Sequence, residues 1–143
     1  MIRIAPSLLA ADFANLEKAV KSVEAAGCEY LHLDIMDGHF VPNITFGPDV
    51  VKTLRKHGPN LVFDVHLMIE KPSQYINAFA DAGADLICVH AETSSHLHRT
   101  IQEIKDKGLK AAVALNPATT LASIEEILPF IDMVLIMSVN PGF

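Results

Sequence analysis

Tryptophan is absent from these 143 residues, and tyrosine and cysteine occur only twice each. Two cysteines cannot build a disulfide framework. Cys28 follows a helix-like segment and Cys88 lies inside an apolar run, so their pairing is not expected. The simple reading is a reduced, cytosolic protein. No apolar run approaches the roughly 20 residues that cross a bilayer. The opening residues also lack the basic region and long apolar stretch of a secretory signal. Lysine and arginine form no cluster, and the formal net charge is −6. Nucleic acid and anionic membrane are therefore poor partners. A small phosphorylated ligand stays compatible, because backbone N–H groups bind phosphate without basic side chains.

A glycine-rich turn after the first apolar run is also missing. What the chain has instead is alternation. Half of its residues (50%) are hydrophobic, enough for one domain with a real core. Short apolar runs at Ile2–Leu9, Tyr30–Asp37, Leu61–Ile69, Leu86–Glu92, Lys110–Asn116 and Met133–Val139 read as strands. They recur about every 25 residues, the length of one βα unit.

The stretches between them read as helices. Asp12 can cap the first, which buries Leu16, Ala19, Val20 and Val23 and ends at Gly27. Pro48 opens the second and Pro72 the third, with Ile76 and Phe79 inward. Ser94 or Ser95 can cap the fourth, and Thr119 or Thr120 the fifth, with Leu121, Ile124, Ile127 and Leu128 on one side. Ala26-Gly27-Cys28-Glu29-Tyr30 and Ala82-Gly83-Ala84-Asp85-Leu86 echo each other at the helix-to-strand junction.

Alternating βα units give a parallel sheet covered by helices. Pro6-Ser7-Leu8-Leu9-Ala10-Ala11-Asp12 carries no glycine, which argues against a doubly wound dinucleotide fold. Polar residues collect near the strand ends, where a (β/α)₈ barrel builds its site. A complete barrel has eight strands and typically ~250 residues. The expectation is thus that residues 1–143 form the N-terminal part, six strands, of a single barrel domain, and that the natural protein is longer.

Residues two apart in a strand share a face. His32, Asp34 and Met36 point one way on the second strand, as Asp64, His66 and Met68 do on the third. Leu33, Ile35, Val65 and Leu67 fill the opposite parity and meet the helices, so the polar parity faces the barrel interior. Buried polar groups are costly unless paired or metal-bound. Two imidazoles and a carboxylate suit a divalent transition metal (Zn, Mn, Fe or Co) better than calcium or magnesium. Asp64 can support His66 from outside the ligand set. The pattern alone leaves a metal-free hydrogen-bonded cluster equally open.

Ser7 can touch a substrate oxygen or simply begin a turn. Met36, Met68 and Met137 are core filler or an apolar floor around a reactive intermediate. His90 is a core or site-wall histidine. His39, His57, His96 and His98 read as solvated, and Asp37 as shaping a turn.

Ile4-Ala5-Pro6-Ser7-Leu8-Leu9-Ala10-Ala11-Asp12 resembles the opening of the ribulose-phosphate 3-epimerases. The run from Leu31 through Asp34, Met36 and Gly38 to Asn43 resembles their most diagnostic stretch. Asp64-Val65-His66-Leu67-Met68 and Ser138-Val139-Asn140-Pro141-Gly142-Phe143 are also similar to that family, in order along the whole chain. The resemblance implies a (β/α)₈ barrel that interconverts D-ribulose 5-phosphate and D-xylulose 5-phosphate in the pentose phosphate pathway and Calvin cycle. It implies one divalent metal held by His32, Asp34 and His66, with Asp34 also one of two acid/base carboxylates. Ser7 and His66 would contact substrate, and Met36, Met68 and Met137 would line the 2,3-enediolate. Gly142, followed by Phe143, would start a phosphate-binding loop.

The family's second acid and second phosphate segment follow strands seven and eight, beyond Phe143. The 143-residue chain alone is accordingly expected to be inactive. The protein it represents would be a cytoplasmic enzyme on a small phosphorylated ketose, with a homo-oligomer compatible. A 3-epimerase of a six-carbon ketose phosphate is a close alternative, and an inactive phosphosugar-binding fragment a distant one. Decarboxylases and aldolases built on an Asp-x-Lys-x-x-Asp arrangement are disfavoured, since no lysine shares the inner parity near Asp34.

Overall fold

A computed structural model describes residues 2–143. Its centre is a parallel five-stranded sheet: β1 (Tyr30–Met36), β2 (Val62–Met68), β3 (Leu86–His90), β4 (Lys110–Leu115) and β5 (Met133–Ile136). The strands lie side by side in chain order. Among the described residues four α-helices accompany them: α1 (Leu16–Ala25) precedes β1, and α2 (Pro48–Arg55), α3 (Ile76–Asp81) and α4 (Leu97–Asp106) join successive strands from β1 to β4. Consecutive parallel strands joined by helices form the α/β arrangement of a barrel wall.

The register follows the strand parity. Asp34 stands opposite His66 and Met36 opposite Met68 across β1 and β2, and His66 stands opposite Cys88 across β2 and β3. Leu31, Leu33, Ile35, Val65, Leu67, Ile87, Val89, Val113 and Leu115 face outward into one buried cluster. Val20 of α1, Val51 and Leu54 of α2, Ile76 and Phe79 of α3, and Ile101 and Ile104 of α4 close that cluster from the helix side. The inner face is lined near the strand starts by Leu86, Cys88, Ala112 and Ala114, with Met133 and Leu135 against them.

The sheet is locked at the strand starts by acidic residues. Asp85, just before β3, accepts the N–H of Phe63 at 2.7 Å and the guanidinium of Arg55 at 2.5 Å through one oxygen. Asp132, just before β5, accepts the N–H of Ala111 at 2.8 Å and Lys105 Nζ at 2.7 Å. The same device thus appears two βα units apart, whereas Glu29, the counterpart of Asp85 in the sequence echo, pairs with Arg3 at 3.3 Å. Arg55 does more. It donates to Gly83 O from two nitrogens (3.0 and 2.7 Å), to Gly58 O (3.2 Å) and to Leu61 O (2.7 Å), and it lies 3.6 Å from the Phe63 ring centroid.

Several expectations need correction. The run Ile2–Leu9 forms no strand. Its link to the sheet is a single bridge between Ser7 and His32, with His32 N donating to Pro6 O at 2.9 Å. Pro6 has no N–H to offer, and Ser7 Oγ accepts the N–H of Leu9 at 3.1 Å, which turns the chain into a 3₁₀ turn at Leu8–Ala10. Five strands, not six, therefore make the sheet.

The fifth helix-like stretch is a 3₁₀ segment, Leu121–Phe130, with Pro129 inside it. Proline cannot continue an α-helical ladder. A threefold repeat then turns Ile124 and Ile127 inward and leaves Leu128 exposed, and Leu121 is exposed at the start of the segment. Neither Ser94 nor Ser95 caps α4; His96 occupies that position without a side-chain bond. Asp12 does cap, but its partner is the N–H of Ala14 in the 3₁₀ turn Phe13–Asn15 that leads into α1.

Candidate functional site

The inner ends of β1, β2 and β3 bring five polar side chains together. Asp34 is buried at the centre. Its Oδ1 lies 3.1 Å from His66 Nδ1 and 3.2 Å from His32 Nε2, and its Oδ2 accepts the Ser7 hydroxyl. His32 turns its other nitrogen, Nδ1, to Asp64 Oδ2 at 2.7 Å. His66 turns its other nitrogen, Nε2, to His90 Nε2 at 2.8 Å. His90 is fully buried, and its Nδ1 faces Glu92 Oε2 at 3.2 Å. Three adjacent strands thus each end in a polar pair two residues apart.

The charges follow from these contacts. Burial raises the Asp34 pKa, but hydrogen bonds from His32, His66 and Ser7 outweigh it and hold the carboxyl far below the usual range. Burial alone would lower His32. Its bonds to Asp34 and Asp64 and their negative charges reverse that and push the imidazole up to about 10. His90 goes the other way, down to about 4, because burial and then the positive charge of His66 both disfavour its protonation.

One ligand atom from each of His32, Asp34 and His66 lies within 4.8 Å of the others. Two imidazole nitrogens and a carboxylate oxygen form a donor set suited to a divalent transition metal. The outer nitrogens of both rings are already occupied by Asp64 and His90, which leaves the inner ones pointing at Asp34. Asp64 Oδ1 is buried without a partner. The group fits a metal ion and its supporting carboxylate.

A loop closes over this cluster. Asp37 accepts the N–H groups of His39 (2.8 Å) and Phe40 (3.0 Å) on one oxygen and that of Glu70 (2.8 Å) on the other. It shapes the turn and ties it to the end of β2. Thr45 folds the loop back by donating its hydroxyl to Asp34 O (2.7 Å) and accepting the N–H of Met36 (3.1 Å). Met36, Met68 and Val41 are buried together under Leu9 and Phe40, so two of the methionines form an apolar floor beside the polar cluster. Phe40 also packs on His90, ring centroids 4.9 Å apart.

Met137 lies elsewhere. It follows the end of β5, half-buried, outside the cluster of Met36 and Met68. Gly142 is buried at φ +70°, where an added Cβ would lie 2.4 Å from Val41 Cβ, so only glycine fits against the loop there. Phe143 is exposed. The sequence reading missed Glu92 and Thr45 as parts of this constellation. Glu92 had a signal, since it shares the inner parity of His90. Thr45 had none, because its role depends on the loop's return path.

Comparison with known proteins gives these features a context. The model of the ribulose-phosphate 3 epimerase family matches residues 3–143. A ribulose-phosphate 3-epimerase of Bacillus subtilis (strain 168) is 57% identical over 143 residues, covering 100% of this chain and 65% of that protein. The chloroplastic ribulose-5-phosphate-3-epimerase of Arabidopsis thaliana is 56% identical over 144 residues, covering 99% of this chain and 51% of that protein. The chain thus spans between 51% and 65% of the length of these two relatives.

Among solved structures, a 3-keto-L-gulonate-6-phosphate decarboxylase from Vibrio cholerae matches with a TM-score of 0.59 at 18% identity, over 94% of this chain and 60% of that one. A phospho-2-dehydro-3-deoxyheptonate aldolase from Thermotoga maritima matches with a TM-score of 0.62 at 12% identity, over 94% of this chain and 38% of that one. At those identities the likeness is one of fold.

Proposed function

Because this chain belongs to the ribulose-phosphate 3-epimerase family, we propose that its protein interconverts D-ribulose 5-phosphate and D-xylulose 5-phosphate by proton transfer at C3. The reading rests on one observation above all: an ionised carboxylate, Asp34, buried on the inner face between two imidazoles and a hydroxyl.

The hydrogen beside the ketone is weakly acidic. A carboxylate held in place and shielded from bulk water removes it as a general base. The electron pair then forms a double bond between C3 and C2, and the C2 carbonyl pair moves onto its oxygen, giving the 2,3-enediolate. His32, Asp34 and His66 would hold a divalent transition ion, Zn, Mn, Fe or Co, which when bound supplies positive charge beside the developing oxyanion. Ser7, which donates to Asp34 Oδ2, orients the base and meets a substrate oxygen, as does His66. Met36 and Met68 give the planar intermediate a surface without acidic hydrogens, and on the family pattern we assign Met137, outside their cluster, to line it separately from the end of β5. Gly142 and Phe143 begin the segment that takes the phosphate through backbone N–H groups.

Inversion also needs a proton delivered to the opposite face, which Asp34 cannot do from its fixed position. We assign that step to a second carboxylate in the part of the protein that the relatives carry outside the matched residues. In this reading residues 1–143 are the N-terminal part of one (β/α)₈ domain and do not turn over substrate by themselves. Cys28 and Cys88 are both free thiols, which fits a reducing cytoplasmic setting.

The test is C3 exchange. D-ribulose 5-phosphate is incubated with the protein in deuterium oxide, and deuterium at C3 and net D-xylulose 5-phosphate are both measured. Asp34→Asn is expected to slow both by about 10²–10⁴-fold. Parental exchange in that variant would refute the assignment of the base.

A further inference from the structure

His90 and Glu92 stand outside the ligand set, yet the same hydrogen-bonded line runs through them. We propose that they form a positioning relay that fixes His66 as a metal ligand, linking the N–H of its outer nitrogen to a carboxylate through a second imidazole. This rests on the metal-binding reading given above.

Nitrogens 2.8 Å apart, His66 Nε2 and His90 Nε2, share one hydrogen: one ring donates and the other accepts. The nitrogen of His66 that faces Asp34 is Nδ1. A nitrogen that ligates a metal uses its lone pair, so the hydrogen of His66 must sit on Nε2. It then donates to His90. His90 in turn must carry its hydrogen on Nδ1, which faces Glu92 Oε2 at 3.2 Å. Every gap in the series then holds one donor and one acceptor. The opposite pair of tautomers leaves the bare Nδ1 of His90 against a carboxylate oxygen, and aims an N–H of His66 into the ligand cluster.

The relay is held at its far end. Glu92 Oε1 accepts the N–H of Asn116 at 2.8 Å and the hydroxyl of Thr119 at 2.5 Å, both beyond β4. The His90 ring has nowhere to turn. It is fully buried, lies between Phe40 and His66 with centroids 4.9 Å from each, and its plane is tilted 25° from that of His66, so the two rings meet edge to edge through the Nε2 atoms. The two imidazole ligands are thus supported differently. His32 meets a carboxylate directly at Asp64, whereas His66 reaches one through a second ring. Outer partners of this kind orient a ligand and raise its basicity.

The test uses Co²⁺, whose visible absorption reports both binding and coordination geometry. The purified protein and its variants are stripped of metal and titrated with Co²⁺ alone. Glu92→Gln, which replaces a carboxylate oxygen with an amide donor, is expected to weaken Co²⁺ binding roughly 10–100-fold and to shift the absorption band. His90→Ala should do the same. His90→Gln, which offers an amide oxygen near the place of Nε2, should recover most of the loss.

If His90→Ala fails to fold, Glu92→Gln carries the test alone. Parental affinity and band in Glu92→Gln would overturn the relay. So would a variant that loses thermal stability while binding Co²⁺ as the parent does, because that marks a purely structural pair. His66→Ala separates the two readings. If it abolishes Co²⁺ binding while Glu92→Gln does not weaken it, only the relay fails. If the parent takes up no Co²⁺, the metal reading fails and the relay with it.

Discussion

Replacing Arg55 with methionine should cost about 3–5 kcal/mol of folding stability. The figure can be built from its contacts. The guanidinium supplies hydrogens to Gly58 O, Leu61 O and, from two nitrogens, Gly83 O. Each of those three half-buried or buried carbonyls loses a hydrogen bond, at about 1 kcal/mol apiece, with Gly58 O keeping the N–H of Leu61. The stacked contact with Phe63 at 3.6 Å adds roughly 0.5–2 kcal/mol. The pair with Asp85 adds little, because the carboxylate side chain is 48% exposed and water screens it.

Methionine keeps most of the aliphatic stem, so lost packing is a minor part of the change. At about 2–4 °C per kcal/mol for a chain of this size, the melting midpoint should fall by roughly 6–20 °C. Urea unfolding followed by circular dichroism measures the free energy directly. A loss below about 1 kcal/mol with an unchanged denaturant slope would refute the reasoning. Arg55→Lys sharpens the test. Lysine keeps the charge but has one nitrogen, so it cannot span three carbonyls. Full rescue by lysine would mean that charge, not the planar fork, holds this corner together.

Two further outcomes follow from the loop over the site. Gly142→Ala places a Cβ against Val41 and forces φ +70° on a residue that resists it, so residues 138–143 should detach from the loop at a cost of about 1–2 kcal/mol; faster hydrogen exchange across both segments is the readout, and unchanged protection would contradict the contact. Asp37 is depressed, against its burial, by the N–H groups of Glu70, His39 and Phe40. A carboxyl lowered on folding stabilises fully above its unfolded pKa of about 3.9, and that contribution is lost as pH falls below it. The melting midpoint should therefore drop less between pH 5 and 3 in Asp37→Asn than in the parent, and parallel curves would show that the clamp contributes nothing.

What was legible in the sequence and what was not divides along physical lines. His32, Asp34 and His66 were legible because strand periodicity is strict and polar residues on an otherwise apolar face have few explanations. Asp37 was legible for the same reason, having the wrong parity for the cluster and the right chemistry for a turn. The run Ile2–Leu9 misled because an apolar composition says nothing about a neighbour. Ile2 and Ile4 are exposed here, and one bridge at Ser7 together with side-chain contacts of Arg3 to Tyr30 and Ser7 to Asp34 holds the segment to β1 in place of a ladder.

Pro129 was visible, but its consequence for the stripe Leu121, Ile124, Ile127 and Leu128 required asking which helix type tolerates it. Arg55 left no local trace at all. Its partners come from residues 58, 61, 83 and 85, and only the fold assembles them. The His90-x-Glu92 pair was readable in principle, as a third copy of the polar i, i+2 pattern seen on β1 and β2. It was obscured because Glu92 falls just past the end of its strand.

The acidic clamps of Asp85 and Asp132 sit at strand starts, while every group argued to touch metal or substrate sits at strand ends. The consequence is a separation of phenotypes. Substitutions around residues 55, 63, 85, 111 and 132 should appear as reduced yield of folded protein with unchanged turnover per molecule. On the proposed function, substitutions at residues 32, 34, 66, 90 and 92 should leave yield near normal and alter metal binding or turnover. A library aimed at a new sugar phosphate can therefore randomise one rim of the sheet while the other rim keeps the chain soluble.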